Sequence, residues 1–440
     1  MRISRAVALF SCVSILITVT GCGDPATDKP QSIYAGAYLY GADGNMSNPF
    51  GALFEKHPGV LAGMKGTRPM TAISDDFKAR LMALDPKLPD YNYAGEAYDA
   101  VVISALAAQV AGTVDPKSIA GQINGVTTGD EPCDNVAQCL EKARAGADVA
   151  YRGITVRSGF TDAGEPSTTS YGTVHFGPNN QLDQGKTEYL RAGNEANATK
   201  APPKAGTGQK NGVPLVIGAL MTAPPTAVTS QARFAGARLA IKEINAAGGV
   251  LGQPVKWVEG TDGADAKVAT ATISSHKAAG VHVLIGTSGS GVGTSVLPEV
   301  MKNGMIMFSP SATAAALSTV ADDGLYFRTA PSDVLQARAI ADMIMRDGVR
   351  KVTLIGKKDA YGEGLVTGVQ KELLAAGMTD VSIQTLLFDI EGGKIKDAGQ
   401  LASIAQQAVD FKPDGVLVVG TTESAEMIKA LADGKLLIRH

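Results

Sequence analysis

Residues 281–313 read VHVLIGTSGSGVGTSVLPEVMKNGMIMFSPSAT, and this stretch decides the fold. Residues 281–285 form a short apolar run, the pattern of a buried strand. A Gly/Ser-rich turn follows. Val292, Val296 and Val300 then recur at the spacing of one helix face. Residues 305–308 are a second apolar run, followed by the hydroxyl-rich turn Ser309-Pro310-Ser311-Ala312-Thr313. Strand, helix and strand in succession make a βαβ unit, with parallel strands and a right-handed crossover. Both turns then leave the same edge of one sheet, where open α/β sheets bind ligands.

The pattern extends in both directions. Strands are predicted over residues 215–220, 255–257, 351–355, 381–388 and 415–419. Helices are predicted over 234–244, 265–279, 333–346, 362–376, 398–411 and 424–432. So many strands fit two lobes better than one sheet. The N-terminal half is less regular. Residues 37–40 read as a strand and 75–84 as a helix. Residues 93–110 read as a long helix with an apolar face through Tyr98, Val102, Ala105 and Ala108, and 153–176 as two strands around a Gly/Pro/Ser turn. Residues 194–212, NEANATKAPPKAGTGQKNG, are polar, Pro/Gly-rich and aperiodic, a linker. The chain closes on the apolar run Leu436-Leu437-Ile438 after a glycine stop. Another loose strand starts at Ser32-Ile33-Tyr34, and joining the end to the beginning makes one ordinary α/β progression.

Composition excludes several classes. Across 440 residues, 40 Lys+Arg against 43 Asp+Glu leave a net charge of -3, so a basic nucleic-acid-binding surface on the scale of the chain is excluded. A hydrophobic fraction of 45% excludes a wholly disordered chain, and four cysteines are too few for a disulfide-built scaffold. Arg2 and Arg5 precede an apolar run over 6–19 that ends in Val19-Thr20-Gly21-Cys22. Small residues before a cysteine resemble a bacterial lipobox, which makes 1–21 a signal peptide, Cys22 the lipidated residue and 22–30 a tether. This places the protein outside the cytoplasm, attached to the membrane only through its lipid.

The turn after residue 285 is not a dinucleotide fingerprint, a P-loop or a nucleophile elbow. Its backbone N–H groups at a helix start suit a carboxylate better than a pyrophosphate. None of the five histidines has metal-ligand spacing, and His276 and His282 read as surface residues. No cofactor, metal or catalytic group is expected, and an α/β hydrolase would need a base that no serine has nearby. Cys133 and Cys139 fit a local disulfide in an oxidising compartment.

Residues 231–249 (QARFAGARLAIKEINAAGG), the Ser loop, MFSPSAT at 307–313 and YGEG at 361–364 resemble the leucine/isoleucine/valine-type substrate-binding proteins of ABC importers. YAGEAYDAV at 93–101 and GTVHFG at 172–177 resemble that family's C-terminal region, so the halves stand in permuted order. The resemblance implies an α/β fold of two Rossmann-like lobes with parallel sheets joined by three crossovers. Lobe one would take residues 91–150 and 214–330. Lobe two would take 31–90, 151–193 and 331–440, with 194–213 as linker. It implies an amino-acid ligand and permease partners, with the chain itself a monomer. The same fold without a transporter would make a ligand-sensing receptor.

By the same resemblance, Ser290, Ser311 (largely through backbone) and Thr313 would hold the α-carboxylate. Asp43, in GADG where the family has Glu, would hold the α-ammonium, and Tyr361 and Tyr93 would wall the side-chain pocket. Thr229 and Thr422 stand where the family often has Tyr, which implies a more polar or larger ligand than a branched-chain residue.

Overall fold

The computed structural model describes residues 34–199, 212–223 and 230–439. The signal segment, Cys22 with its tether, Thr229, His440 and residues 200–211 of the linker lie outside the described residues. The chain divides into Met1–Tyr34 and Ala35–His440. The second unit carries two large sheets and two two-stranded ones.

The first sheet has five parallel strands in the order Tyr326–Arg328, Ile306–Ser309, Val283–Gly286, Val216–Leu220, Lys256–Val258. Its strand order reverses between Val216–Leu220 and Val283–Gly286, so a crevice opens beyond their C-terminal ends. Asp265 starts the helix Ala266–Ala278 by accepting from the N–H groups of Lys267 and Val268. On one face Phe308 sits between Phe160 and Phe327, with ring centroids 6.0 and 5.8 Å away. Each such ring contributes about 1.5–3 kcal/mol by burial.

The second sheet has seven strands: Ile383–Phe388, Val352–Lys357, Gly415–Val419, Tyr38–Gly41, Lys65–Pro69, Thr168–His175, Glu188–Gly193. The first five are parallel and the last two antiparallel, so this sheet is mixed. The ends of the described chain meet at its centre. Ala37 N–H donates to Leu437 O at 2.8 Å, and Arg439 N–H donates to Ala37 O at 2.9 Å. The two segments lie side by side as parallel partners rather than end to end.

The chain changes lobe after Pro69, after Tyr151 and after Arg328, and a fourth time between strands Glu188–Gly193 and Val216–Leu220, across the linker. Buried Asp99 pins the second passage. It accepts from the N–H groups of Ile154, Thr155 and Val156 and from the Tyr151 hydroxyl, all at 2.7–3.0 Å.

The strands and helices predicted for residues 215–432 are all present, with ends displaced by at most a few residues. Other readings need correction. Helix Asp75–Leu84 belongs with the first lobe, because Phe77 and Leu81 pack into the core of Ala94, Ala97 and Ile217. The first passage therefore falls before residue 75, not at 90. Helix Ala94–Ala111 is buried on nearly every side, not along one stripe. Residues 153–166 are loop with a single bridge, Phe160 to Pro166, and only Thr168–His175 is a strand. His276 is 1% exposed, with Nε2 2.8 Å from Ala219 O, and is a core residue. Cys133 and Cys139 form a disulfide tying the strand Glu131–Cys133 to the helix Val136–Arg144.

Candidate functional site

The C-terminal strand edges of the two sheets face one another across a cavity of about 370 Å³. On the first-lobe side, Val283–Gly286 and Ile306–Ser309 are neighbours, so their turns interlock. Ser311 Oγ donates to Ser288 O at 3.0 Å, and Ala314 N–H donates to Ser290 Oγ at 3.1 Å. Ser290 accepts there and keeps its own hydroxyl proton for a ligand. Ser311 has spent its proton and can offer only backbone. Helix Ser290–Lys302 begins at Gly289 with no side-chain cap, so its first N–H groups face the cavity as an anion-receiving end. Thr313 Oγ1 is buried and makes no well-formed hydrogen bond in the protein, although the Asp333 carboxyl is close enough to feel it.

On the second-lobe side, Asp43 follows the strand Tyr38–Gly41 in a tight turn. A side chain at Gly44 would strike Gly420 O, with a Cβ only 2.3 Å away, so the turn lies flat against its neighbour. Asp43 Oδ1 accepts from the Tyr361 hydroxyl and Oδ2 from the Tyr93 hydroxyl, each at 2.7 Å. The Gln336 side chain and the residue's own backbone N–H also lie close enough to favour the ionised carboxylate. Burial raises the Asp43 pKa, and the two phenols work against that rise. Tyr93 reaches across from the first lobe, its backbone in the left-handed region at φ 59°, a strained conformation typical of functional positions. Both tyrosines line the cavity and also clamp the carboxylate.

Two buried cations complete the cavity. Burial works against the charge on Lys357, but Glu423 and Asp359 hold its pKa up, at 4.0 and 3.2 Å. Arg233 opens the helix Gln231–Ala246 and is 6% exposed. The sequence reading passed over Arg233. Its signal was a charge on the buried stripe it shares with Ala237, Ala240 and Ile244. Thr422 lines the cavity beside Glu423. Among the described residues no group of three or more His, Cys, Asp and Glu side chains is placed to hold a metal.

Residues 216–436 match the family described as "Periplasmic binding protein", just over half of the chain. The chain belongs to the periplasmic binding protein family. Within it, the Leu/Ile/Val-binding protein homolog 3 of Brucella melitensis is 29% identical over 41% of this chain and 50% of its own length. The leucine-specific-binding protein of Salmonella typhimurium is 30% identical over 44% of this chain and 52% of its own. The chain spans about half the length of the curated relatives it matches. Among solved structures, an ABC transporter substrate-binding protein from Desulfitobacterium hafniense in complex with Leu aligns at 23% identity and a TM-score of 0.41, covering 51% of this chain and 65% of that one.

Glu96, in the first turn of the helix behind Tyr93, links this region to pH. Burial pushes its pKa up to about 8 from an ordinary 4.5; Asp99 adds to the rise, and Arg68 and Arg233 oppose it. Protonated Glu96 contributes stability that is complete below 4.5 and is lost as pH rises through about 8. Relative to Glu96→Gln, the native protein should lose roughly 3–4 kcal/mol between about pH 5 and pH 8. Urea denaturation at both values checks this, and parallel behaviour of the two proteins contradicts it.

Proposed function

We propose that this periplasmic binding protein captures an amino acid, or a similar small zwitterion, between its two lobes and delivers it to the permease subunits of an ABC importer. One observation carries the reading: an acidic acceptor and an uncapped helix start face each other across one cavity. Asp43, a buried carboxylate lining the cavity, suits an ammonium. Thr313 Oγ1, Ser290 and the uncapped helix start suit a carboxylate. Exclusion of water on lobe closure strengthens both contacts. The relatives named for leucine, isoleucine and valine support an amino acid as the class of cargo, and the reading makes the chain a carrier with no catalytic step.

Location follows from the same reading. The protein works outside the cytoplasm, held by lipid on Cys22 as a monomer, with residues 194–213 as a linker. The permuted order has its own support. In the first sheet, successive strands take the spatial order second, first, third, fourth, fifth. The parallel strands of the second sheet follow that order only when Gly415–Val419 is read onward into Tyr38–Gly41 and then Lys65–Pro69.

A thermal-shift screen of the L-amino acids tests the function. A ligand that binds only the folded form raises the unfolding temperature. At least one amino acid should do so, while its carboxamide and its decarboxylated amine should not. Equal shifts from all three forms would refute the two-charge site.

A further inference from the structure

We infer that the ligand carries a second anionic group, so that the cleft takes an acidic amino acid in preference to a neutral one, with Arg233 facing one of the two anions. This rests on the reading of the cleft as an amino-acid site and narrows it.

Arg233 Nη2 donates to Ser230 Oγ at 2.5 Å, while its Nε meets no acceptor. No carboxylate lies within ion-pair distance among the described residues. The neighbouring residues 224–229, PPTAVT, contain no acid at all. Asp262, Asp90 and Asp43 are near enough to favour the arginine's charge, yet none pairs with it. Lys357, the other buried cation of the cavity, is already matched by Asp359 and Glu423. Of the cavity's two buried cations, Arg233 is thus the one without an ion-pair partner among the described residues, and an uncompensated buried charge is costly.

Its position is fixed as well. The guanidinium lies 5.9 Å from the ring centroid of Tyr93, the residue that holds Asp43. It is therefore anchored beside the ammonium station, on an element separate from the Ser290 and Thr313 turns. A ligand with one carboxylate satisfies only one of the two places. If Arg233 takes the α-carboxylate, Thr313 Oγ1 and the uncapped helix start remain for another anion. If those take the α-carboxylate, Arg233 remains. Either arrangement calls for two anions and one ammonium, the charge pattern of glutamate or aspartate.

Calorimetric titration of the full chain with L-glutamate, L-glutamine, L-aspartate, L-asparagine and L-leucine tests this. Glutamate and glutamine have the same shape and differ in the charge of the distal group, as do aspartate and asparagine. At least one acid should bind about 30-fold or more tightly than its amide. Arg233→Met should bring that ratio below about threefold, and Arg233→Lys should keep part of it. Amides binding as tightly as acids, or an unchanged ratio in Arg233→Met, would overturn the inference. If Arg233→Met does not fold, the native acid-to-amide ratio still decides. Binding of leucine without either acid removes the second anion and leaves the amino-acid reading standing. No binding by any of the five overturns the second anion, and the thermal-shift screen then decides the broader reading.

Discussion

Asp43→Ala should weaken binding of a zwitterionic ligand by about 100- to 1,000-fold. The variant leaves the ligand's ammonium buried without its counter-charge, and stranding a buried charge costs about 3–5 kcal/mol, which in affinity is at least that factor. The two phenols that donate to Asp43 would also lose their acceptor. Asp43→Asn tests charge separately from shape, since its single carbonyl oxygen can satisfy one phenol but offers no anion. Both variants should bind poorly and still fold. The native site should also depend on pH in a defined direction. Burial raises the Asp43 pKa, and only the ionised form pairs with an ammonium. Affinity should therefore fall as pH drops through that raised value, with a proton released on binding. An Asp43→Ala protein that binds its ligand normally would remove Asp43 from the site.

Arg328→Met should produce the largest loss of stability. Arg328 is fully buried and reaches four partners. Its Nε and Nη2 donate to Glu165, its Nη1 donates to Ala312 O at 3.2 Å and Ala314 O at 2.9 Å, and Nη2 also donates to Ser318 Oγ at 2.6 Å. Removing it leaves the Glu165 carboxylate without its counter-charge and two carbonyls without their donor, at about 3–5 kcal/mol. Those carbonyls flank Thr313, so the same change should weaken ligand binding by loosening the turn. Removing both charges costs less than the sum of the single losses, because no charge is left stranded. The Arg328→Met/Glu165→Leu double variant should accordingly regain part of the stability. Strict additivity in the double-mutant cycle would show that Arg328 and Glu165 do not act as a unit.

The fold was legible where periodicity was strong. Helices Asp333–Arg346 and Ala398–Phe411 and strand Gly415–Val419 lie where apolar spacing puts them. It was illegible where burial comes from neighbours. Lys65–Pro69, KGTRP, contains no large apolar residue, yet it is a largely buried strand inside the second sheet. Helix Ala94–Ala111 carries Val101, Ile103 and Leu106 off the face through Tyr98 and Val102, and all three are buried by neighbours that local spacing does not reveal. His276 looked exposed because a lone polar residue beside a helix end carries no sign of its buried acceptor, Ala219 O.

The site divides in the same way. Hydroxyl-rich turns at strand ends mark the Ser290, Ser311 and Thr313 side, because the βαβ unit itself makes those turns adjacent. Asp43 came from a resemblance in four residues. Its partnership with Tyr93 and Tyr361 depends on residues 50 and 318 positions apart, which no local pattern reveals. Arg233 lies within residues 231–249, where nothing in the local spacing distinguishes it from other helix residues. What sets it apart is the lack of a counter-charge in three dimensions.

The central claim is that one cleft receives the ammonium and the carboxylate of the same molecule on opposite lobes. Calorimetric titration of the strongest amino acid from the thermal-shift screen, alongside its deaminated and amidated analogues, tests this most directly. The account predicts one site per chain for the amino acid and at least about 100-fold weaker binding of either analogue. Full-affinity binding of an analogue lacking one of the two charges would contradict it.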